Sequence, residues 1–134
     1  MFMDAVISKL REHGIQPSAQ RVAVGRFMLM TDSHPSADQV WARVKRHLPT
    51  VSRATVYNTL NLFVEKGLLQ QLALSEGRVV FDPKLDPHHH LIDSETGDIH
   101  DVPWDAVEIR GEPTVEGFDV DSFQVVMKGH RPSD

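Results

Sequence analysis

The apolar period of this chain changes once, at Gly67. Before that residue, hydrophobic side chains recur every three or four positions, the repeat of a helix with one buried face. After it they fall into short runs with the character of strands. Residues 3–13 place Val6, Ile7 and Leu10 on one side, and Gly14 follows as a stop. Ser18 can cap a second segment carrying Val22, Val24, Phe27 and Met28. Ser36 and Gln39 have the spacing of a capping box, ahead of a stripe of Val40, Trp41, Val44 and Leu48 that Pro49 ends. The fourth segment begins at Ser52, puts Val56, Leu60, Phe63 and Val64 on its buried face, and stops at Gly67. LLQQLAL and RVVFD then read as two β-like runs separated by the turn signal SEG. Helices followed by a hairpin make a winged helix-turn-helix.

The remainder is thinner. HHHLID, GDIHDV and DSFQVVMKG read as strands, and WDAVEIRGEP has room for only a short helix, broken by Gly111 and Pro113. The predicted fold class is α+β. A winged helix-turn-helix domain occupies residues 1–82, a hinge with Pro83 and Pro87 occupies 83–87, and a small α/β domain occupies 88–134. About fifty residues is near the size at which a single core is marginal, so the last piece calls for dimerisation or a metal. Trp104, Val107, Val125 and Val126 are its expected core.

Charge divides the same way. Residues 1–84 hold 11 Lys/Arg against 7 Asp/Glu, and residues 85–134 hold 3 against 12. The balances, +4 and −9, sum to the net −5 of the chain. A basic half joined to an acidic half points to a nucleic-acid-binding module plus something else, although solvated faces also cluster charge by chance. No apolar run is long enough to cross a membrane, and the N-terminus carries acid and base too early for a secretory signal. A cytoplasmic protein without a membrane partner is expected.

The acidic half opens with three consecutive histidines. Asp82, His88, His90 and Asp101 offer two imidazoles and two carboxylates within twenty residues, and the chain contains no cysteine. Mixed nitrogen and oxygen donors suit Fe(II), Mn(II) or Zn(II). Thiolate sites and disulfides are excluded. In a strand, residues two apart point to one side, so His88 and His90 can converge while His89 faces away.

The segment from Ser52 has an unusual polar face. Arg53, Tyr57 and Asn61 follow at i, i+4 and i+8, with Asn58 alongside. Arg can read guanine in the major groove, Asn can read adenine, and Tyr can hold phosphate. The alternative is an ordinary amphipathic helix with a solvated side. Arg21, Arg43, Lys45 and Arg46 on the preceding segments add candidates for phosphate contact.

VSRATVYNTLNLFVEKGLL resembles the recognition-helix signature of the ferric-uptake-regulator (Fur) superfamily. GIQPSAQR, HPSADQVW and the FD…HHH…D block match the same superfamily in order and spacing, over residues 3 to about 104. The resemblance implies a homodimeric metalloregulator that binds an inverted-repeat operator in double-stranded DNA, with the C-terminal domain making the dimer. It assigns the regulatory metal to His34, Asp82, His88, His90 and Asp101. The recognition-helix match adds weight to the DNA-contact candidates read above, Arg21, Lys45, Arg53, Tyr57, Asn58 and Asn61. The superfamily's CxxC pairs, which bind structural zinc, are missing: Asp93 and Thr96 stand where the first pair would be. A further superfamily site uses the positions of His89 and Glu108. Its later histidine corresponds to Phe123, so His100 is the available substitute.

Asp101 as last ligand and the ATVYN of residues 54–58 are similar to the peroxide-responsive (PerR-like) branch. That branch implies Fe(II) or Mn(II) as the metal, zinc(II) as an in vitro substitute, and loss of repression when bound Fe(II) promotes oxidation of His34 or His88. Three readings stand beside it. One is an iron- or manganese-responsive repressor without peroxide chemistry. Another is a haem-responsive (Irr-like) relative, which also carries an HHH run. The last is a nonhaem iron enzyme, for which two histidines and a carboxylate could serve. A regulator, not an enzyme, is the expectation.

Overall fold

A computed structural model describes residues 2–74 and 77–133. The chain divides into two compact units, Met1–Leu85 and Asp86–Asp134.

The first unit holds four helices and a hairpin: α1 (Phe2–Glu12), α2 (Ala19–Met30), α3 (Ala37–Val44), α4 (Arg53–Glu65), β1 (Gln70–Ala73) and β2 (Val79–Asp82). Three of the helix starts follow from serine caps. Ser18, Ser36 and Ser52 accept from the backbone N–H of Arg21, Gln39 and Thr55, and Gln39 Oε1 returns a bond to the Ser36 N–H. Each such cap contributes about 1 kcal/mol to its helix. Gly67, at φ +80°, turns the chain out of α4 in a conformation that suits glycine.

One expectation is corrected at α3, which ends at Val44, well before Pro49. Arg46 and His47 donate their N–H groups to the carbonyls of Arg43 and Val44, three residues back. This tighter turn satisfies the last carbonyls of the helix and ends it without the proline.

Val6, Leu10, Val24, Met28, Val40, Val56, Leu60 and Phe63 are fully buried in one core shared by all four helices. Phe81 of the hairpin packs into it. The β1–β2 pairing is antiparallel, from Gln70 opposite Asp82 to Ala73 opposite Val79. Ser75 and Glu76, from the expected SEG turn, lie outside the described residues.

The second unit is a three-stranded sheet in the order β4–β3–β5: β3 is His88–Asp93, β4 is Ile99–Pro103 and β5 is Val126–Gly129. β3 is central, antiparallel to β4 and parallel to β5. A 3₁₀ turn, Trp104–Ala106, follows β4, and no α-helix lies between it and β5 among the described residues.

The expected hydrophobic core of this unit is not there. Trp104 and Val126 are exposed, and Val107 and Val125 are half-buried. The buried side chains among its described residues are His88, His89, His90 and Asp93. Ile109, Val115, Phe118, Val120 and Phe123 are also exposed. Within one chain, three short strands cover too little area to bury all of these apolar side chains.

Where the superfamily would place a cysteine, Asp93 closes the end of β3. Its carboxylate accepts from the backbone N–H of Glu95 (2.9 Å) and of Thr96 (3.3 Å). Ser94 N–H donates to the Gly129 carbonyl (2.8 Å) and ties this turn to the end of β5. A hydrogen-bonded turn therefore stands in place of a metal clip.

The Glu95 N–H is the main cause holding the Asp93 carboxyl below its ordinary value of 3.8, with burial opposing and Thr96 and Arg131 assisting. A lowered carboxyl stabilises the fold above its unfolded value, and that contribution is lost as pH falls through the lower folded value. Metal-free Asp93→Asn should therefore melt below the wild-type protein at neutral pH. The gap should close as pH is taken down through 3.8 and below. Thermal unfolding followed by circular dichroism measures this, and a gap that does not vary with pH would contradict it.

Candidate metal centre and nucleic-acid interface

In the first unit, His34 and Asp82 meet. His34 lies just ahead of the α3 cap, and Asp82 is the last residue of β2. The Phe81 N–H donates to the Pro35 carbonyl (2.9 Å), which pins the end of β2 to the loop carrying His34. His34 Nε2 then stands 3.2 Å from Asp82 Oδ2, with both side chains buried. Asp82 Oδ1 accepts the Lys84 N–H at 2.9 Å. A proline-bounded loop and a strand end thus present one imidazole and one carboxylate side by side.

In the second unit, β3 aligns His88 and His90 on one face, with ring centroids 4.6 Å apart. Asp101 of β4 lies opposite His90 in the strand register. Its Oδ1 is 3.3 Å from His88 Nε2 and 3.6 Å from His90 Nε2. One ligand atom from each of the three residues lies within 4.8 Å of the others.

The other ring nitrogens decide what this trio can do. His88 Nδ1 is 2.6 Å from the Asp86 carbonyl oxygen, and His90 Nδ1 is 2.8 Å from Gln124 Oε1. Both oxygens accept, so each Nδ1 carries the hydrogen and donates it. In the neutral ring, the lone pair is then on Nε2. Two imidazole lone pairs therefore face a carboxylate oxygen, acceptor against acceptor, which favours a cation among them. Metal-ligating histidines usually donate the remote N–H to an oxygen in this way while presenting the other nitrogen's lone pair to the ion. The donors, imidazole nitrogen and carboxylate oxygen in both units, fit Fe(II), Mn(II) or Zn(II).

Gln124 and the Asp86 carbonyl are the contributors that sequence reading missed. A glutamine 34 positions from His90 carries no local signal. Only its place just before β5, parallel to β3, brings it to the ring.

His89, His100 and Glu108 do not gather into a second ligand group among the described residues. His89 is fully buried on the opposite face of β3, stacked on Trp104 with centroids 4.4 Å apart. Its Nδ1 accepts the Val125 N–H at 2.9 Å. Its Nε2 has no hydrogen-bond partner among the described groups, and the ring lines a cavity of about 260 Å³ with Trp104, Glu112 and Phe123. His100 is exposed opposite Leu91, and Glu108 is exposed.

The α4 surface carries Arg53, Tyr57, Asn58 and Asn61, all exposed. The opposite face buries Val56, Leu60 and Phe63. Tyr57 O–H donates to Asp38 Oδ1 at 3.3 Å, and Arg53 Nε forms an ion pair with the same oxygen, also at 3.3 Å. Lys45 Nζ lies 4.0 Å over the Trp41 ring. Arg21 is half-buried, and its guanidinium donates to the Gln16 carbonyl at 2.9 Å. No helix among the described residues is long and apolar enough to cross a membrane.

Comparison with known proteins gives a consistent picture. The sequence profile of the ferric uptake regulator family matches residues 12–128. A peroxide-responsive repressor PerR from Staphylococcus epidermidis is 29% identical over 130 residues, covering 95% of this chain and 86% of that protein. PerR from Staphylococcus aureus is 31% identical over 102 residues, covering 76% and 69% respectively. Among solved structures, a ferric uptake regulator from Pseudomonas aeruginosa with manganese superposes with a TM-score of 0.71 at 25% identity, covering 94% of this chain and 97% of that one.

Proposed function

From the premise that this chain belongs to the ferric uptake regulator family of metal-responsive DNA-binding regulators, we propose that it is a metal-dependent repressor whose release from DNA is triggered by peroxide. The observation that carries the metal reading is the trio of β3 and β4. His88 and His90 spend their Nδ1 hydrogens on Asp86 and Gln124 and turn their Nε2 atoms to Asp101. His34 and Asp82 offer a second, matching pair of donors. The proposal is that all five residues take one ion, Fe(II) or Mn(II), with zinc(II) as a substitute in vitro.

In this reading residues 83–87 are a hinge. His34 and Asp82 precede it, and His88, His90 and Asp101 follow it. When the five are drawn onto a common ion, the hinge is held and the α4 helices of a dimer keep the spacing that two half-sites require. The uncovered apolar side chains of the second unit support a homodimer, because a lone sheet with Trp104, Phe118 and Phe123 in water is unfavourable. Arg53, Tyr57, Asn58 and Asn61 would face the bases, and Arg21 and Lys45 the phosphates. Such a repressor works in the cytoplasm, on double-stranded DNA.

Iron(II), when bound, supplies the reducing power that cleaves peroxide. His34, His88 and His90 would hold their rings at the site, and the superfamily resemblance marks His34 and His88 as the ones oxidised. A histidine that has gained oxygen is a poorer donor, so the five-residue set opens and the hinge is released. The plain iron- or manganese-responsive repressor uses the same ligands and omits the oxidation. The similarity to the Pseudomonas regulator with manganese favours that second reading.

The direct test is selection of duplexes from a pool of A/T-containing inverted repeats, with manganese(II) and with a chelator. Retention of one family of sequences only when metal is present is expected. Retention that ignores the chelator would sink the metal-dependent reading.

A further inference from the structure

We propose that Asp38 is a positioning residue that holds Arg53 and Tyr57 in place to read base edges, so that it sets the sequence discrimination of this protein. The inference rests on the reading of α4 as the DNA-facing helix. An acid at this place is unexpected on electrostatic grounds, because a carboxylate repels phosphate and weakens binding to every duplex alike.

Its contacts give it a purpose. One oxygen, Oδ1, accepts from Tyr57 O–H and is ion-paired with Arg53 Nε, each at 3.3 Å. These are two of the side chains that the α4 surface offers to DNA. The Arg53 guanidinium also lies over the Trp41 ring, 4.7 Å from its centroid. That ring is fixed in turn, because its Nε1–H donates to the Val51 carbonyl at 3.1 Å. Arg53 is therefore held by a carboxylate at its inner nitrogen and by an aromatic face across its plane.

The pair is more than half exposed on both sides, so it adds little to stability. Its effect is on geometry. A free arginine on a DNA-facing surface can reach any phosphate, and that contact carries no sequence information. With Nε held by Asp38, the terminal nitrogens are the fork left to meet two acceptors on a guanine edge. Orientation fixed before binding strengthens the matched contact, because less freedom is lost when it forms. It also withholds the unmatched one.

The experiment uses full-length protein loaded with manganese(II) and two duplexes, one selected by the wild-type protein and one with the same bases scrambled. Fluorescence anisotropy gives the affinity ratio for wild type, Asp38→Asn, Asp38→Glu, Arg53→Ala and Asp38→Asn/Arg53→Ala. Loss of a negative charge alone would raise both affinities by the same factor and leave the ratio untouched. The positioning role predicts that the ratio falls about fivefold or more in Asp38→Asn, the low end of what one bidentate base contact discriminates. It also predicts a fall in Asp38→Glu, which keeps the charge and displaces the carboxylate. In the Arg53→Ala background the Asp38 change should lower the ratio by less, because only Tyr57 is left for it to position. Wild-type ratios in both Asp38 variants, or an equal fall with and without Arg53, would overturn the proposal. Failure to select any duplex would instead overturn the DNA-binding reading itself, and this inference with it.

Discussion

His90→Ala should abolish metal-dependent DNA binding while leaving the secondary structure of the metal-free protein in place. His90 sits in the central strand of the second unit, buried, with Nε2 aimed at Asp101 and Nδ1 held by Gln124. Removing it takes one imidazole from the donor set and leaves His88 and Asp101 as the remaining ligands of that sheet. The strand pairings on either side of His90 are made by backbone groups and do not need the ring. Gln124→Ala is the graded companion. It keeps every ligand and loses the group that orients one, so metal affinity should fall about 10–100-fold. Titration with manganese(II), read by anisotropy on the selected duplex, separates the two variants. Elemental analysis of the wild-type protein should find one metal per chain. Unaltered metal dependence in His90→Ala would remove His90 from the site. Collapse of the circular dichroism spectrum would make it a structural residue instead.

Peroxide should release the Fe(II)-loaded protein from DNA and leave the Mn(II)-loaded protein bound. Mn(II) serves as a ligand-matched control because it does not readily reduce peroxide. No thiol is available in this chain to sense peroxide in its place. Mass spectrometry should find one added oxygen on the peptide carrying His34 or on that carrying His88–His90. Methionine is the main confounder. Met28 is fully buried, but Met30 is 64% exposed and only four residues before His34, so fragment ions must place the oxygen on the ring. Asp101→Glu should preserve metal-dependent binding and slow oxidation, since a longer carboxylate can fill a coordination position otherwise open to peroxide. If Fe(II)-loaded protein stays on DNA with both histidine peptides unmodified, the peroxide step is wrong and the plain iron- or manganese-responsive repressor remains.

The helices, their caps and the alternation of β3 were legible in the sequence because they depend on neighbours a few residues apart. Ser18, Ser36 and Ser52 cap their helices through backbone groups three positions on. His88 and His90 share a face because a strand repeats every second residue. The superfamily resemblance added His34 to the candidate donors Asp82, His88, His90 and Asp101, which spacing alone could not have done. Tertiary structure decided what long-range contact decides. Asp82 reaches His34 because the end of β2 is bonded to the loop ahead of α3, and Gln124 reaches His90 because β5 returns parallel to β3. Asp38 meets Arg53 and Tyr57 only because α3 packs beside α4. The misplaced core has the same origin. Trp104, Val107, Val125 and Val126 are apolar and close in sequence to strands, but burial depends on the volume a fold can enclose. Within one chain three short strands cover little apolar surface, so these side chains are left for the proposed partner subunit to cover, and the histidines are the buried groups.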